Sequence, residues 1–287
     1  MYIVFFYKID FSFYFFLFVK MSEIYKSSTK AFKTGFAGGA LQVSALLWLR
    51  TANNYQYKHG TTLSDTLKTL YREGGVLRFY RGYIPSLFLG SSIKFGEINA
   101  YYYSKQCNFN ELERLLFISS VSSFLKLMFV PIDTLDIFLQ VEGKKGIQTL
   151  KNKVNNQGVR VLYYGLTPWI TSNFISTFCW YNIHNYLDDK FKDKCKEGIE
   201  FNIKNGAIGL SASLISDTIT NPLRILKIYK QSNTNQVSYI ETYKNIIKTR
   251  GTSELFLRGL KTRVMIHGLQ NVFFVLVWKN LEKVFNI

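Results

Sequence analysis

The chain has 287 residues and is 47% apolar, yet its mean hydropathy is only +0.01 and its formal net charge is +17. Cys107, Cys179 and Cys195 form no CxxC pair, and His59, His184 and His267 lack metal-ligand spacing. There is no glycine-rich phosphate loop or nucleophile elbow, so nothing points to an enzyme or a metal site. The basic residues are dispersed, without an aromatic-basic platform, which argues against nucleic-acid binding.

In chain order, residues 1–30 read as an N-terminal extension of uncertain status. The apolar run Phe11–Val19 is too short for a clear span, and initiation at Met21 is one reading of it. Six apolar stretches follow, at about 31–50, 83–104, 112–140, 166–187, 202–230 and 260–284, each near the length that crosses a bilayer. Lys94, Lys126, Asp217 and Arg263 interrupt them, as expected of helices that surround a polar cavity. The connectors 51–82, 141–165 and 232–259 hold 14 Lys+Arg against 5 Asp+Glu. The connectors 105–114 and 188–200 hold 6 against 7. That asymmetry predicts one consistent orientation, with the long basic connectors on the non-translocated side.

Two patterns repeat. Val130-Pro131-Ile132-Asp133-Thr134-Leu135-Asp136 with Gln140 matches Asn221-Pro222-Leu223-Arg224-Ile225-Leu226-Lys227 with Gln231. Glycine turns recur as Glu73-Gly74-Gly75 to Tyr80-Arg81-Gly82, Gln157-Gly158 to Tyr164-Gly165, and Arg250-Gly251 to Arg258-Gly259. Each turn follows a short amphipathic segment (Ser64–Arg72, Thr149–Val154, Tyr239–Thr249) and opens a long apolar one.

These motifs resemble the mitochondrial carrier family, whose repeats each carry P-x-[DE]-x-x-[KR] and a downstream acidic-Gly to aromatic-[KR]-Gly element. The resemblance implies an all-α, six-span membrane protein in three pseudo-symmetric repeats, about 31–105, 112–188 and 200–287, forming a single domain over 31–287. The first repeat has no proline in its first long segment. Placing its kink at Ser44 aligns Gly39 with Lys126 and Asp217, and puts Leu46 and Leu49 at the two charged positions. A one-residue shift makes Arg50 the basic position instead.

The resemblance also implies roles. Asp133, Asp136, Arg224 and Lys227, with Gln140 and Gln231, correspond to the matrix gate. There the alternating charges are broken by Asp136 and Arg224, while Asp133 can pair with Lys227, and Asp136 with Arg50 or Arg224. The opposite gate falls on Asn99 and Tyr102, Asn182 and Asn185, and Lys279 and Glu282, of which only the last two are charged. Lys126 and Asp217 lie five residues before their prolines, about two turns from the gate on the same helix face. They are expected to pair with each other or to hold a solute. Contact positions after the glycine turns fall on Leu89/Gly90, Ser172/Asn173 and Ile266/His267, so Asn173 and His267 join the cavity. The turns at Arg81-Gly82, Gly165 and Arg258-Gly259 offer backbone N–H groups for phosphate, the family's cardiolipin sites. No cofactor other than bound cardiolipin is implied.

The expected location is the mitochondrial inner membrane. The defective gates point to an accessory or structural subunit of an inner-membrane respiratory complex. The alternative is a divergent carrier that moves a small neutral or zwitterionic metabolite by alternating access.

Overall fold

The computed structural model describes residues 38–107, 109–191, 198–233 and 238–270, and every regular element among them is helical. The N-terminal extension, Lys279 and Glu282 lie outside the described residues. Helix α1 covers 38–59. It is followed by α2 (Leu63–Phe79), α3 (Tyr83–Gln106), α4 (Glu111–Glu142), α5 (Gly146–Gln157) and α6 (Leu166–Lys190). Then come α7 (Gly198–Ser232), α8 (Tyr239–Arg250) and α9 (Ser253–Leu257), and α10 runs from 260 to the last described residue of its segment, 270. The long helices α3, α4, α6 and α7 pack side by side, while α2, α5, α8 and α9 lie in the connectors at one end.

Local chemistry sets the boundaries. Asn110 and Ser238 form capping boxes with Glu113 and Glu241, and Thr62 caps α2 through the Asp65 N–H. Helices α3 and α6 start after Gly82 and Gly165, both left-handed, with Pro85 and Pro168 in the first turn, where a missing N–H leaves no bond unmade. Helices α4 and α7 hold Pro131 and Pro222 internally. With 32 residues α4 is about 48 Å long, more than a bilayer core requires. By length and composition, one helical stretch among the described residues, Glu111–Gln157, can cross a membrane, with a mean hydropathy of 1.9 in its best window.

The packing is inverted relative to a water-soluble bundle. Helix α4 buries Ser119, Ser122 and Ser123 but exposes Phe124 and Met128 at 59% and 65%. Helix α7 buries Ser213, Ser216 and Asp217 while Leu214, Ile215 and Ile219 face outward.

At the connector end one device recurs three times. A buried cation just before a glycine turn, or on the short helix, caps the carbonyl end of the next long helix. Arg78 donates to the Gln140 and Val141 carbonyls at 2.8 and 2.9 Å, ending α4. Lys153 of α5 donates to the Gln231 and Asn233 carbonyls, ending α7. Arg258 donates to the Tyr57 carbonyl at 3.2 Å, near the end of α1. Each satisfies orphan carbonyls and places positive charge at the negative end of a helix dipole.

These contacts fix the register of the first repeat at a position other than the one expected. Gln140 and Gln231 are nine residues after Pro131 and Pro222, and Tyr57 is nine after Trp48. The Thr51 hydroxyl donates to the Phe79 carbonyl as the Thr134 hydroxyl does to that of Leu162, each threonine lying three residues past the same point. Gly60 ends α1 and Gly143 ends α4, both twelve residues on and both with φ near 65°. Trp48 therefore takes the proline's place, four residues past Ser44. Leu46 and Leu49 leave the gate and pack in the core against Ile266. The positions facing the gate are Arg50 and Asn53.

Burial, then the nearby charges of Lys230 and Lys58, push the Lys153 ammonium, which lies on a connector helix outside the spans, down to about 8 from 10.5. Between these values the unfolded chain binds the extra proton, so this group makes stability rise with pH from about 8 to 10.5, its cost being fully present below 8. Unfolding in detergent across that window is expected to show the rise in the wild type and its loss in Lys153→Met. Parallel pH profiles would contradict the assignment.

Candidate functional site

The glycine turns seat directly on gate side chains. A Cβ on Gly82 would lie 2.5 Å from the Asp136 carboxylate and 3.3 Å from Gln140. One on Gly165 would meet Gln231 at 2.9 Å and Lys227 at 3.0 Å. One on Gly259 would meet Tyr57 at 2.8 Å and Asn53 at 2.9 Å. All three glycines also have positive φ, so no other residue fits without strain. The three contact pairs occupy equivalent places, five and nine residues past Pro131, Pro222 and Trp48. They bring the ends of α1, α4 and α7 together with the starts of α3, α6 and α10.

Within this ring the expected Asp133–Lys227 pair forms, at 2.8 Å, with both residues buried. Gln231 donates to Asp133 and to the Thr134 hydroxyl, each at 3.1 Å, and the Lys227 ammonium lies 4.0 Å over the Trp169 ring. Asp136 makes no ion pair among the described residues. Its carboxylate accepts from Ser86 at 2.7 and 2.8 Å and from Gln140 at 2.8 Å, and Asn54 donates in turn to Gln140. Hydroxyl and amide donors thus replace the Arg50 or Arg224 partner expected for Asp136. Arg224 points away from the ring toward Asp217, 3.4 Å distant and seven residues earlier on α7, and donates to Ser176 at 3.0 Å. The third side of the ring, Asn53 against α10, carries no charge of its own.

Two turns farther from the connector end, a second layer repeats the same logic. The residue five before each proline position faces the residue eight after the glycine of its own repeat. The pairs are Val43 with Gly90, Lys126 with Asn173, and Asp217 with His267. A Cβ on Gly90 would lie 2.7 Å from Val43, Lys126 donates to Asn173, and His267 Nε2 is 3.1 Å from Asp217. Asn173 and His267 thus face Lys126 and Asp217.

The expected Lys126–Asp217 ion pair is not made. Asp217 turns to Arg263 at 3.3 Å, Arg224 and His267 on its own side of the bundle. Lys126 sits in a separate network, where Asn173 donates to Ser122 and Ser123, and Ser122 donates to Glu97 at 2.9 Å. Helical periodicity sets both charges at one depth but does not decide which helices lie between them. Sequence reasoning missed Glu97, Ser86 and the role of Arg263. The fourth position after each glycine turn, Ser86, Trp169 and Arg263, was the available signal.

At the far end, Asn99 bonds the Phe95 carbonyl of its own helix, and Asn182 makes no cross-helix bond among the described residues. Asn185 ties α6 to Glu111 at the start of α4. The Tyr102 side chain is outside the described residues. Tyr101 and Tyr181 stack between α3 and α6 at 6.4 Å.

Two of the expected phosphate sites have other employment. Arg258 is buried and spent on Glu254 and Tyr57, while the Gly165 N–H donates to the Tyr239 hydroxyl at 3.0 Å. Arg81 instead lines a cavity of about 450 Å³ with Lys144 and Lys145, whose acids Glu73 and Glu142 already pair with Arg78 and Lys58.

Comparison with known proteins agrees with this geometry over the C-terminal third. Residues 200–287 match the family described as mitochondrial carrier protein. The chain therefore resembles that family, through the segment that contains Pro222, Lys227, Gln231 and Gly259. No curated protein matches the chain.

Lys227→Met leaves Asp133 buried without its cation, and is expected to cost about 3–5 kcal/mol. Asp133→Asn combined with Lys227→Met should recover part of that loss. Unfolding midpoints of the single and double variants in one detergent measure the coupling. An additive cycle would show that the pair contributes no net stability.

Proposed function

We propose that the chain is a multi-pass protein of the mitochondrial inner membrane with six spanning helices in three repeats, and that it carries a small polar solute by alternating access. The observation that carries this reading is the layer of three equivalent pairs, Val43/Gly90, Lys126/Asn173 and Asp217/His267, above the closed Asp133–Lys227 gate. Keeping Asp217 buried and Lys126 half-buried between helices costs free energy and is unnecessary for a passive scaffold. The exposed apolar faces of α4 and α7 support lipid as the surrounding solvent. With Trp48 at the proline position, Arg50 and Asn53 replace Leu46 and Leu49 at the gate positions of the first repeat, and Asp133–Lys227 remains the one ion pair of the ring among the described residues. A gate built from one ion pair and several neutral hydrogen bonds leaves open and closed states near in energy, as alternation requires. The 450 Å³ cavity beside Arg81, Lys144 and Lys145 is the place we assign to an anionic lipid headgroup such as that of cardiolipin.

An accessory role in a respiratory complex remains as a second reading. It is favoured by the far end, where Asn99, Asn182 and Asn185 offer no ion pair to close a second gate.

Reconstitution into liposomes separates the two. Saturable uptake that falls at least about tenfold in Lys126→Ala and Asp217→Ala, with unchanged unfolding midpoints, is the expected result. Stoichiometric retention in a respiratory complex after mild detergent extraction, with no uptake of any solute, would overturn the carrier reading.

A further inference from the structure

Two arginines from different helices meet at one buried carboxylate, and a third approaches one of them from a third helix. Asp217 of α7 is 1% exposed, and Arg224 and Arg263 reach it at 3.4 and 3.3 Å with 18% and 23% of their side chains exposed. Arg50 of α1 approaches from the Gly90 side, its Nη1 4.0 Å from where a Cβ on that glycine would be. Its charge acts on both Arg263 and His267.

The donor count is lopsided. Arg50 makes no hydrogen bond or ion pair among the described residues. Arg263 uses only Nε, on Asp217. Arg224 uses Nε on Thr220 and Nη2 on Ser176 and Asp217, leaving Nη1. Asp217 neutralises one of the three charges. Asp136, which accepts from Ser86 and Gln140, acts on Arg50 from beyond ion-pair distance, so three cations face two acids. Guanidinium groups do not lose their proton, so like charges gathered in a partly enclosed space repel unless a counter-charge enters. Planar forks with unspent N–H groups match the oxygens of a carboxylate or phosphate.

We propose that Arg50, Arg224 and Arg263 form an oxyanion site, with His267 at its edge and Asp217 positioning two of the three guanidiniums. Arg50 and Arg224 stand two residues past the proline position, where the carrier pattern has acids. The site is therefore a property of this chain rather than of the shared pattern. It narrows the solute of the carrier reading to one that bears a carboxylate or phosphate group, and it rests on that reading only for the oxyanion being the passenger. Partial exposure of the arginine heads beside a closed Asp217 gives the ligand a way in from the cavity.

The test is binding, independent of transport. Purified full-length protein in detergent is titrated with inorganic phosphate, succinate and chloride at matched ionic strength, and unfolding is followed. Phosphate or succinate is expected to raise the midpoint where chloride does not, and the stronger of the two identifies the oxyanion class. Arg224→Gln and Arg263→Gln should weaken that response on the order of tenfold or more. Arg224→Lys should keep part of it, and Arg160→Gln, on the exposed connector surface, should keep all. If Arg224→Gln fails to fold, Arg50→Gln, which breaks no existing bond, gives the same reading. Equal effects of all three anions, or an undiminished response in the arginine variants, would overturn the site. Oxyanion binding without uptake would remove the carrier reading alone, and uptake of an uncharged solute with no anion response would remove the site alone.

Discussion

Three helix starts that touch the side chains of the next long helix hold the connector end together. Gly82, Gly165 and Gly259 lie where a methyl group would overlap Asp136, Gln231 or Tyr57. That approach needs a residue without a Cβ and a backbone with positive φ. Once these seats are made, the rest follows in order. The fourth residue of the new helix meets the gate at Ser86 and Trp169 and Asp217 at Arg263, the eighth meets the second layer, and the cation just upstream reaches the neighbouring carbonyl end. The gate, the cavity and the caps are thus consequences of one repeated close contact.

Charge in this molecule is arranged by competition among neighbours. Asp133 keeps Lys227 because Gln231 and Trp169 hold both in place. Asp136 has Ser86 and Gln140 within hydrogen-bond reach and takes them. Arg224 finds Asp217 two turns back on its own helix, which leaves the ring open on that side. Each choice lowers the cost of a buried charge locally. The sum, however, is uneven: one side of the bundle holds a settled acid–base pair, and the other holds two arginines on one acid with Arg50 near one of them.

Much of this architecture was legible in residue order. The proline segments, the glycine turns and the paired glutamines located four of the long helices, the short connector helices and the Asp133–Lys227 pair. The first repeat misled because its first long helix, α1, has no proline. Ser44 aligned Gly39 with Lys126 and Asp217, whereas the interval to the glycine turn held the better signal. Gly165 follows Pro131 by 34 positions, and Gly82 follows Trp48 by the same 34. Between these two repeats spacing is the safer guide, because the residue at the bend is free to change, although the third repeat runs 37 positions from Pro222 to Gly259.

Sequence by itself determined which residues share a helix face and at what depth, since 3.6 residues per turn sets both. It placed Lys126, Asp217, Asn173 and His267 in one layer, and it exposed the rewritten charges. Only the tertiary structure decided partners. Lys126 and Asp217 lie at matching depth on α4 and α7, yet one finds Asn173 and the other finds Arg263, Arg224 and His267. Helical periodicity is a property of one segment, whereas an ion pair depends on which segments become neighbours, and that is settled when the glycine turns seat against the adjoining helices.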